Sequence, residues 1–200
     1  MQTHTITTYS FDELSEHAKQ EAISDCKDFN VTDEFWHECV IDDAKRLAAI
    51  IGIEIDNIYF SGFWSQGDGA QFTGSYSYRK GGTAELLAEA PLDEELHRIA
   101  HGLQAVQSRN FYKLSARVKS TGCYSHEMCT DIRVYRETEY SYCGDCPVET
   151  EETIQELLRD YMRWIYARLE SEYEYLTSDE AVIDSIRANE YEFTESGSIY

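Results

Sequence analysis

The stretch Ile58-Tyr59-Phe60-Ser61-Gly62-Phe63-Trp64-Ser65-Gln66-Gly67-Asp68-Gly69, continued by Gln71-Phe72-Thr73-Gly74-Ser75-Tyr76-Ser77-Tyr78, is two alternating runs about a glycine-rich turn. Ile58, Phe60 and Trp64 alternate with Tyr59, Ser61 and Phe63, which is the two-residue period of a strand. In Gln66-Gly67-Asp68-Gly69 the glycines supply the positive φ of a hairpin turn. The same four residues do not make a phosphate loop, since no helix follows and no lysine is present. Antiparallel pairing is therefore the centre of the fold. A second hairpin is expected over 111–120 and 124–135, turning at Thr121-Gly122, and Thr3–Thr8 reads as a short strand.

Helical patterns surround these strands. Upstream, Ser10 with Glu13 reads as a capping box and Tyr9 with Leu14 as a hydrophobic staple, opening a helix to Cys26 that buries Leu14, Ala18, Ala22 and Cys26. A second helix is expected from Thr32, with the stripe Trp36, Val40, Ala44, Leu47, Ala48 and Ile51, ending at Gly52. Downstream, a helix over 84–90 stops at Pro91, and another runs from Leu92 to Gln107. The longest runs from Thr150 to Tyr175, with Ile154, Leu157, Leu158, Tyr161, Ile165, Leu169 and Tyr173 as its buried stripe. Thr177 and Glu180 read as a capping box for a last helix to Asn189. The expected fold is α+β: one domain over 1–190, an antiparallel sheet of about five strands with helices packed on it, a long acidic C-terminal helix, and a loose acidic tail over 191–200.

Charge narrows the function classes. Seventeen Lys and Arg against 38 Asp and Glu leave −21, a field that repels nucleic acid and anionic membrane and speeds encounter with basic partners. General acidity, as in halophiles, is the alternative reading. Residues 149–200 hold fourteen acids against four arginines, net −10, and residues 1–47 hold eleven acids against four bases, net −7. Glu170, Glu172, Glu174, Asp179, Glu180, Asp184, Glu190 and Glu192 mark the peak of that density. Carboxylates set along helices can imitate the phosphate rows of DNA and occupy a protein's nucleic-acid groove; a merely solvated helix face is the competing reading. Trp64, Gln66, Asp68 and Tyr76 on the first hairpin offer a second contact surface of aromatics and polar groups.

Catalysis and metal binding find little footing. Cys143-Gly144-Asp145-Cys146 has the spacing of a zinc knuckle, but the pair to complete it, Cys123 and Cys129, is separated by five residues and would span roughly 20 Å in a strand. His97 and His101 share a helix face without the general base of an HExxH motif, because Arg98 follows His97. No nucleophile, base and metal converge, so a protein without enzymatic activity, cofactor or metal is expected. No apolar run approaches the roughly 20 residues of a membrane helix, and the N-terminus lacks a signal core, so the expected location is the cytosol of the host cell.

The segments 58–70 and 172–180, with the helix opening over 9–18, resemble a family of small acidic proteins from phages and prophages, commonly labelled antitoxin of a toxin–antitoxin stability system. The resemblance brings no catalytic residues. It implies a phage context and an inhibitory binding role toward a basic nucleic-acid-binding protein: a defence nuclease, a CRISPR effector or a toxin. No direct nucleic-acid or membrane contact is expected. A structural or regulatory phage protein, acting as a homodimer or through the aromatic hairpin, is the alternative.

Overall fold

In the computed structural model of the protein, which describes residues 7–33, 35–122, 124–138, 141–144 and 146–200, and the backbone alone of 138 and 141–144, strand formation follows the two-residue period. In chain order the strands are β1 (Tyr9–Ser10), β2 (Ile53–Ser61), β3 (Gly69–Ser77), β4 (Leu114–Ser120), β5 (Thr130–Thr138), β6 (Ser141–Gly144) and β7 (Glu192–Phe193). The helices are α1 (Glu16–Asp25), α2 (Glu38–Ile50), α3 (Gly82–Glu89), α4 (Glu94–Arg109), α5 (Val148–Leu176) and α6 (Asp179–Ala188). The class is α+β, as expected. Two compact units are present: Cys39–Leu169, and Met1–Glu38 together with Glu170–Tyr200.

The first unit is a sheet with helices on one face. Its strands run in the order β2-β3-β4-β5-β6, all antiparallel, with α3 and α4 inserted between β3 and β4. Alternation assigns the faces. Phe72, Tyr76, Leu114, Ala116, Val118, Ile132 and Val134 turn into a core shared with Leu96, Ile99 and Leu103 of α4 and Ile154, Leu158, Tyr161, Ile165 and Leu169 of α5. Tyr161 is fully buried, and its hydroxyl donates to Ala44 O at 2.6 Å, so a phenol in the core keeps a partner. Two close backbone approaches require glycine. A Cβ on Gly52, at φ +84, would lie 1.9 Å from Ser77 O, and one on Gly82 would lie 2.1 Å from Ile50 O.

The second unit joins the two ends of the chain. Phe11, Leu14, Ala18, Ala22, Ile23, Cys26, Val182, Ile186 and Phe193 form its core, and β1 pairs with β7 (Tyr9 with Phe193, Ser10 with Glu192). Asn30 Nδ2 donates to Leu176 O at 2.9 Å, and Trp36 packs edge-on against Tyr173 at 5.7 Å.

Several boundaries differ from expectation. Thr3–Ile6 lie outside the described residues, and Thr7 and Thr8 precede the strand, which is Tyr9–Ser10. The Ser10–Glu13 pairing is present, Ser10 N and Oγ both donating to the Glu13 carboxylate at 2.8 Å, but it holds a single 3-10 turn; α1 starts after Ser15, whose Oγ accepts from Ala18 N. Helix α2 begins at Glu38 rather than Thr32, leaving Trp36 half-buried ahead of it. Ser178, not Thr177, caps α6: its Oγ accepts from Ala181 N, while the Thr177 hydroxyl donates back to Tyr173 O. β5 begins at Thr130 rather than Tyr124, directly after a 3-10 turn over Glu127–Cys129.

The expected loose tail is packed. Phe193 is fully buried, Tyr200 N donates to Glu192 O, and a Cβ on Gly197 would lie 2.1 Å from Ala18 O. Polar composition conceals this, because a few apolar residues hold the segment: Phe193 in the core, Tyr191 against Phe29, and Ile199 bridged back to Phe193. Removing residues 191–200 takes away a buried phenylalanine worth about 1.5–3 kcal/mol of burial. The truncated chain is expected to melt at lower temperature by circular dichroism, and an unchanged midpoint would show that the end contributes nothing.

Candidate functional site

The acids singled out by density fall together in the unit made from the chain ends. That unit carries eighteen acids against three bases, Lys19, Lys27 and Arg187, a net −15 of the protein's −21. Glu174, Asp179, Glu180, Asp184, Glu190 and Glu192 are exposed, and Glu170 and Glu172 are half-buried. Asp179 and Glu180 occupy the first turn of α6, where the helix dipole favours negative charge. None of the eight forms a salt bridge with a described residue. The one base within 170–192 is committed: Arg187 pairs with Asp12 at 2.7 Å, and its guanidinium lies over the Phe11 ring. That hydrogen bond, with the guanidinium charge, holds the Asp12 carboxyl below its ordinary value.

A cleft of about 550 Å³ runs along this unit, with Tyr9, Phe11, Ile186 and Tyr191 and the acids Asp12, Glu13, Glu190 and Glu192 among its lining. Sequence reasoning separated Asp12 and Glu13 from Glu190 and Glu192 by the length of the chain; the β1–β7 pairing places them around one cleft. No local signal announces that pairing, because each strand is two residues long.

The hairpin candidates divide. Trp64 is 72% exposed and Gln66 is exposed, both in the loop between β2 and β3. Asp68 holds that loop in shape: one carboxylate oxygen accepts from Trp64 N at 3.1 Å and Ser65 N at 2.6 Å. Tyr166 of α5 supports it from below, its hydroxyl donating to Gly62 O at 3.1 Å and its ring 5.6 Å from Phe63. Tyr76 is not a surface residue. It shares the inward face of β3 with Phe72, is 2% exposed, and burial pushes its phenol up to about 12.

The cysteine set cannot be assembled from what is described: Cys123 and the side chain of Cys143 lie outside the described residues. Cys129 and Cys146 are half-buried free thiols, the latter pushed up by burial and by Glu151. Among the described residues no group of three or more His, Cys, Asp or Glu is placed to hold a metal ion, and no helix is long and apolar enough to cross a membrane. His97 Nε2 lies 2.7 Å from Ala90 O, which ties that ring to the end of α3.

Residues 36–179 match the family model of a domain of unknown function, DUF8835, a span that includes the whole sheet unit. No curated protein and no solved structure matches the chain.

Proposed function

This chain belongs to the family of the domain of unknown function DUF8835, and we propose that it is a non-catalytic inhibitory binding protein whose acidic unit covers the basic surface of a nucleic-acid-acting host protein. The observation that carries this reading is the net −15 gathered on the unit built from the chain ends, with eight exposed or half-exposed carboxylates unpaired to any described base. Carboxylates so arranged present a basic groove with the charge of a phosphate row. The resemblance to small acidic phage proteins gives the context, in which a defence nuclease, a CRISPR effector or a toxin is the partner and the host cytosol is the place.

The test is capture from host lysate at low salt by the wild-type chain and by a variant with Glu172, Glu174, Asp179 and Glu180 each changed to Lys. The wild type is expected to retain a nucleic-acid-acting protein that competing duplex DNA releases. The fourfold reversal is expected to slow association on the order of tenfold or more, since steering by a charged surface raises on-rates by that scale and is screened by salt. A captured protein that binds both versions equally, or that binds DNA and this chain together, sinks the mimicry.

A second reading rests on Trp64, an exposed tryptophan held at a hairpin tip by the Asp68 clamp. It favours a homodimer through that loop. Light scattering of the wild type and of Trp64→Ser separates the two: a dimer lost on substitution supports it, and a monomer in both removes it.

A further inference from the structure

We propose that the open face of the sheet unit binds single-stranded nucleic acid, with phosphates held by a row of cations on β4 and bases stacked on aromatic rings at both ends of that row. The inference does not depend on the acidic-unit reading.

The row exists because of an unusual gap in the charge pattern. Leu96 to His126 contains no acid, where the chain's average of 38 in 200 residues would place about six, and it contains Arg98, Arg109, Lys113, Arg117 and Lys119. On β4, Leu114, Ala116 and Val118 turn into the core, so Ser115, Arg117 and Lys119 stand on the other face, with Lys113 just ahead of the strand. From Lys113 to Lys119 the row spans about 20 Å along the central strand. Lys113, Arg117 and Lys119 form no salt bridge with a described residue. Arg117 lies directly opposite Arg133 of β5, a like-charge pairing that opposes folding unless an anion lies between them. Two acids of β5 offset part of this charge: Asp131, which lies opposite Lys119 and pairs with Arg133 at 3.0 Å, and Glu137, whose N donates to Lys113 O, so the uncompensated centre of the row is Arg117 against Arg133.

Aromatic rings stand at the two ends. At the Lys113 end, Phe111 and Tyr112 are both in the left-handed region, at φ 57° and 60°, where the turn that ends α4 would be unstrained with glycine. Phe111 is nonetheless 75% exposed, and Tyr112 lies 4.4 Å from the Tyr78 ring, between centroids. At Tyr112 the strained backbone seats a ring on Tyr78, whereas at Phe111 it displays a ring to solvent with no ring contact among the described residues. At the Lys119 end, Tyr59 of β2 is exposed opposite Gln71, whose amide donates to the carbonyl of the exposed Tyr124.

Geometry and charge select the ligand. The concavity among Arg117, Lys119, Asp131, Arg133 and Tyr135 is about 220 Å³, below the roughly 300 Å³ at which small-molecule pockets begin, so an extended chain fits better than an enclosed metabolite. Exposed rings at either end suit bases, which stack, better than the carboxylates of an acidic peptide, which do not. Net charge weighed against direct nucleic-acid contact, but most of that charge belongs to the other unit. The sheet unit carries twenty acids against fourteen bases, net −6.

Fluorescence anisotropy of a labelled oligothymidylate of about 20 nucleotides with the full chain tests this at about 50 mM salt, with no partner protein present. Saturable binding is expected, weakened at least about tenfold by Arg117→Glu with Lys119→Glu, and falling with salt at a slope near −0.7 per phosphate contact. Phe111→Gly with Tyr112→Gly is expected to weaken binding on the order of tenfold while raising the melting temperature, because the same change removes rings and relieves strain. No saturable binding, insensitivity to both double variants, equal competition by poly-glutamate, or equal affinity for thymidine monophosphate would each overturn the proposal. Since the assay omits any host protein and spares the acidic unit, its failure leaves the capture experiment above untouched.

Discussion

Leu158→Ala is expected to lower the free energy of unfolding by about 2–5 kcal/mol, the range for a leucine truncated in a well-packed core. Leu158 is fully buried on α5. Its helix supplies Ile154, Leu157, Tyr161, Met162, Trp164, Ile165 and Leu169 to the same core, a helical stripe pressed against the inward residues of the sheet. The stripe is held in register from the side by Tyr161, whose ring lies 6.3 Å from Phe72 of β3 and 5.3 Å from Trp164. Those aromatics limit how far the surroundings can close over a cavity, which places the expected cost above the low end of the range. Urea unfolding of the variant measures it. A change under about 1 kcal/mol would mean that the α5 stripe is not the centre of the core.

Elements with a long period were legible and contacts between distant segments were not. The β2–β3 hairpin, the stop of α3 before Pro91 and the α5 stripe followed from alternation, a breaker and a 3.6-residue repeat, each carried by eight or more consecutive residues. The cap of α6 is not readable from sequence because threonine and serine stand side by side at Thr177-Ser178, and only geometry shows which hydroxyl faces the helix N-terminus. Tyr76 was readable in principle. It stands four residues beyond Phe72, so strand alternation puts the two rings on one face, and that face is the core. The joining of the chain ends is not readable from local sequence, since its strands are two residues long and the residues that share its core, Phe11 to Cys26 with Val182, Ile186 and Phe193, stand more than 150 residues apart in the chain. The acidic surface was therefore visible as composition while its shape, a cleft shared by Asp12, Glu13, Glu190 and Glu192, was not.

Asp93→Ala is expected to cost about 2–4 kcal/mol at neutral pH, more than an ordinary surface acid, because one carboxylate serves three elements of stability. Its Oδ1 caps α4 by accepting from Leu96 N at 3.0 Å. Its Oδ2 accepts from Trp164 Nε1 at 2.8 Å and from Arg168 at 2.6 Å, joining the start of α4 to α5. The indole N–H belongs to a buried tryptophan and would lose its partner, and a lost helix cap alone costs about 1 kcal/mol. Burial pushes this carboxyl upward, but the bonds from Leu96, Trp164 and Arg168 outweigh it and hold it below the ordinary value of 3.8. A depressed folded value means that the stabilisation is complete above the unfolded value and is lost as pH falls through the folded one. The gap between wild type and variant should therefore be widest near neutrality and narrow as pH falls below about 3.8, where the unfolded chain's carboxyl takes up a proton first, and close further as the folded carboxyl, held below that value, protonates in turn. Urea unfolding of both proteins at about pH 7 and about pH 3 measures that gap. An equal difference at the two values would assign the cost to lost packing rather than to the charged carboxylate, and no difference at either would remove Asp93 from the contacts that tie α4 to α5.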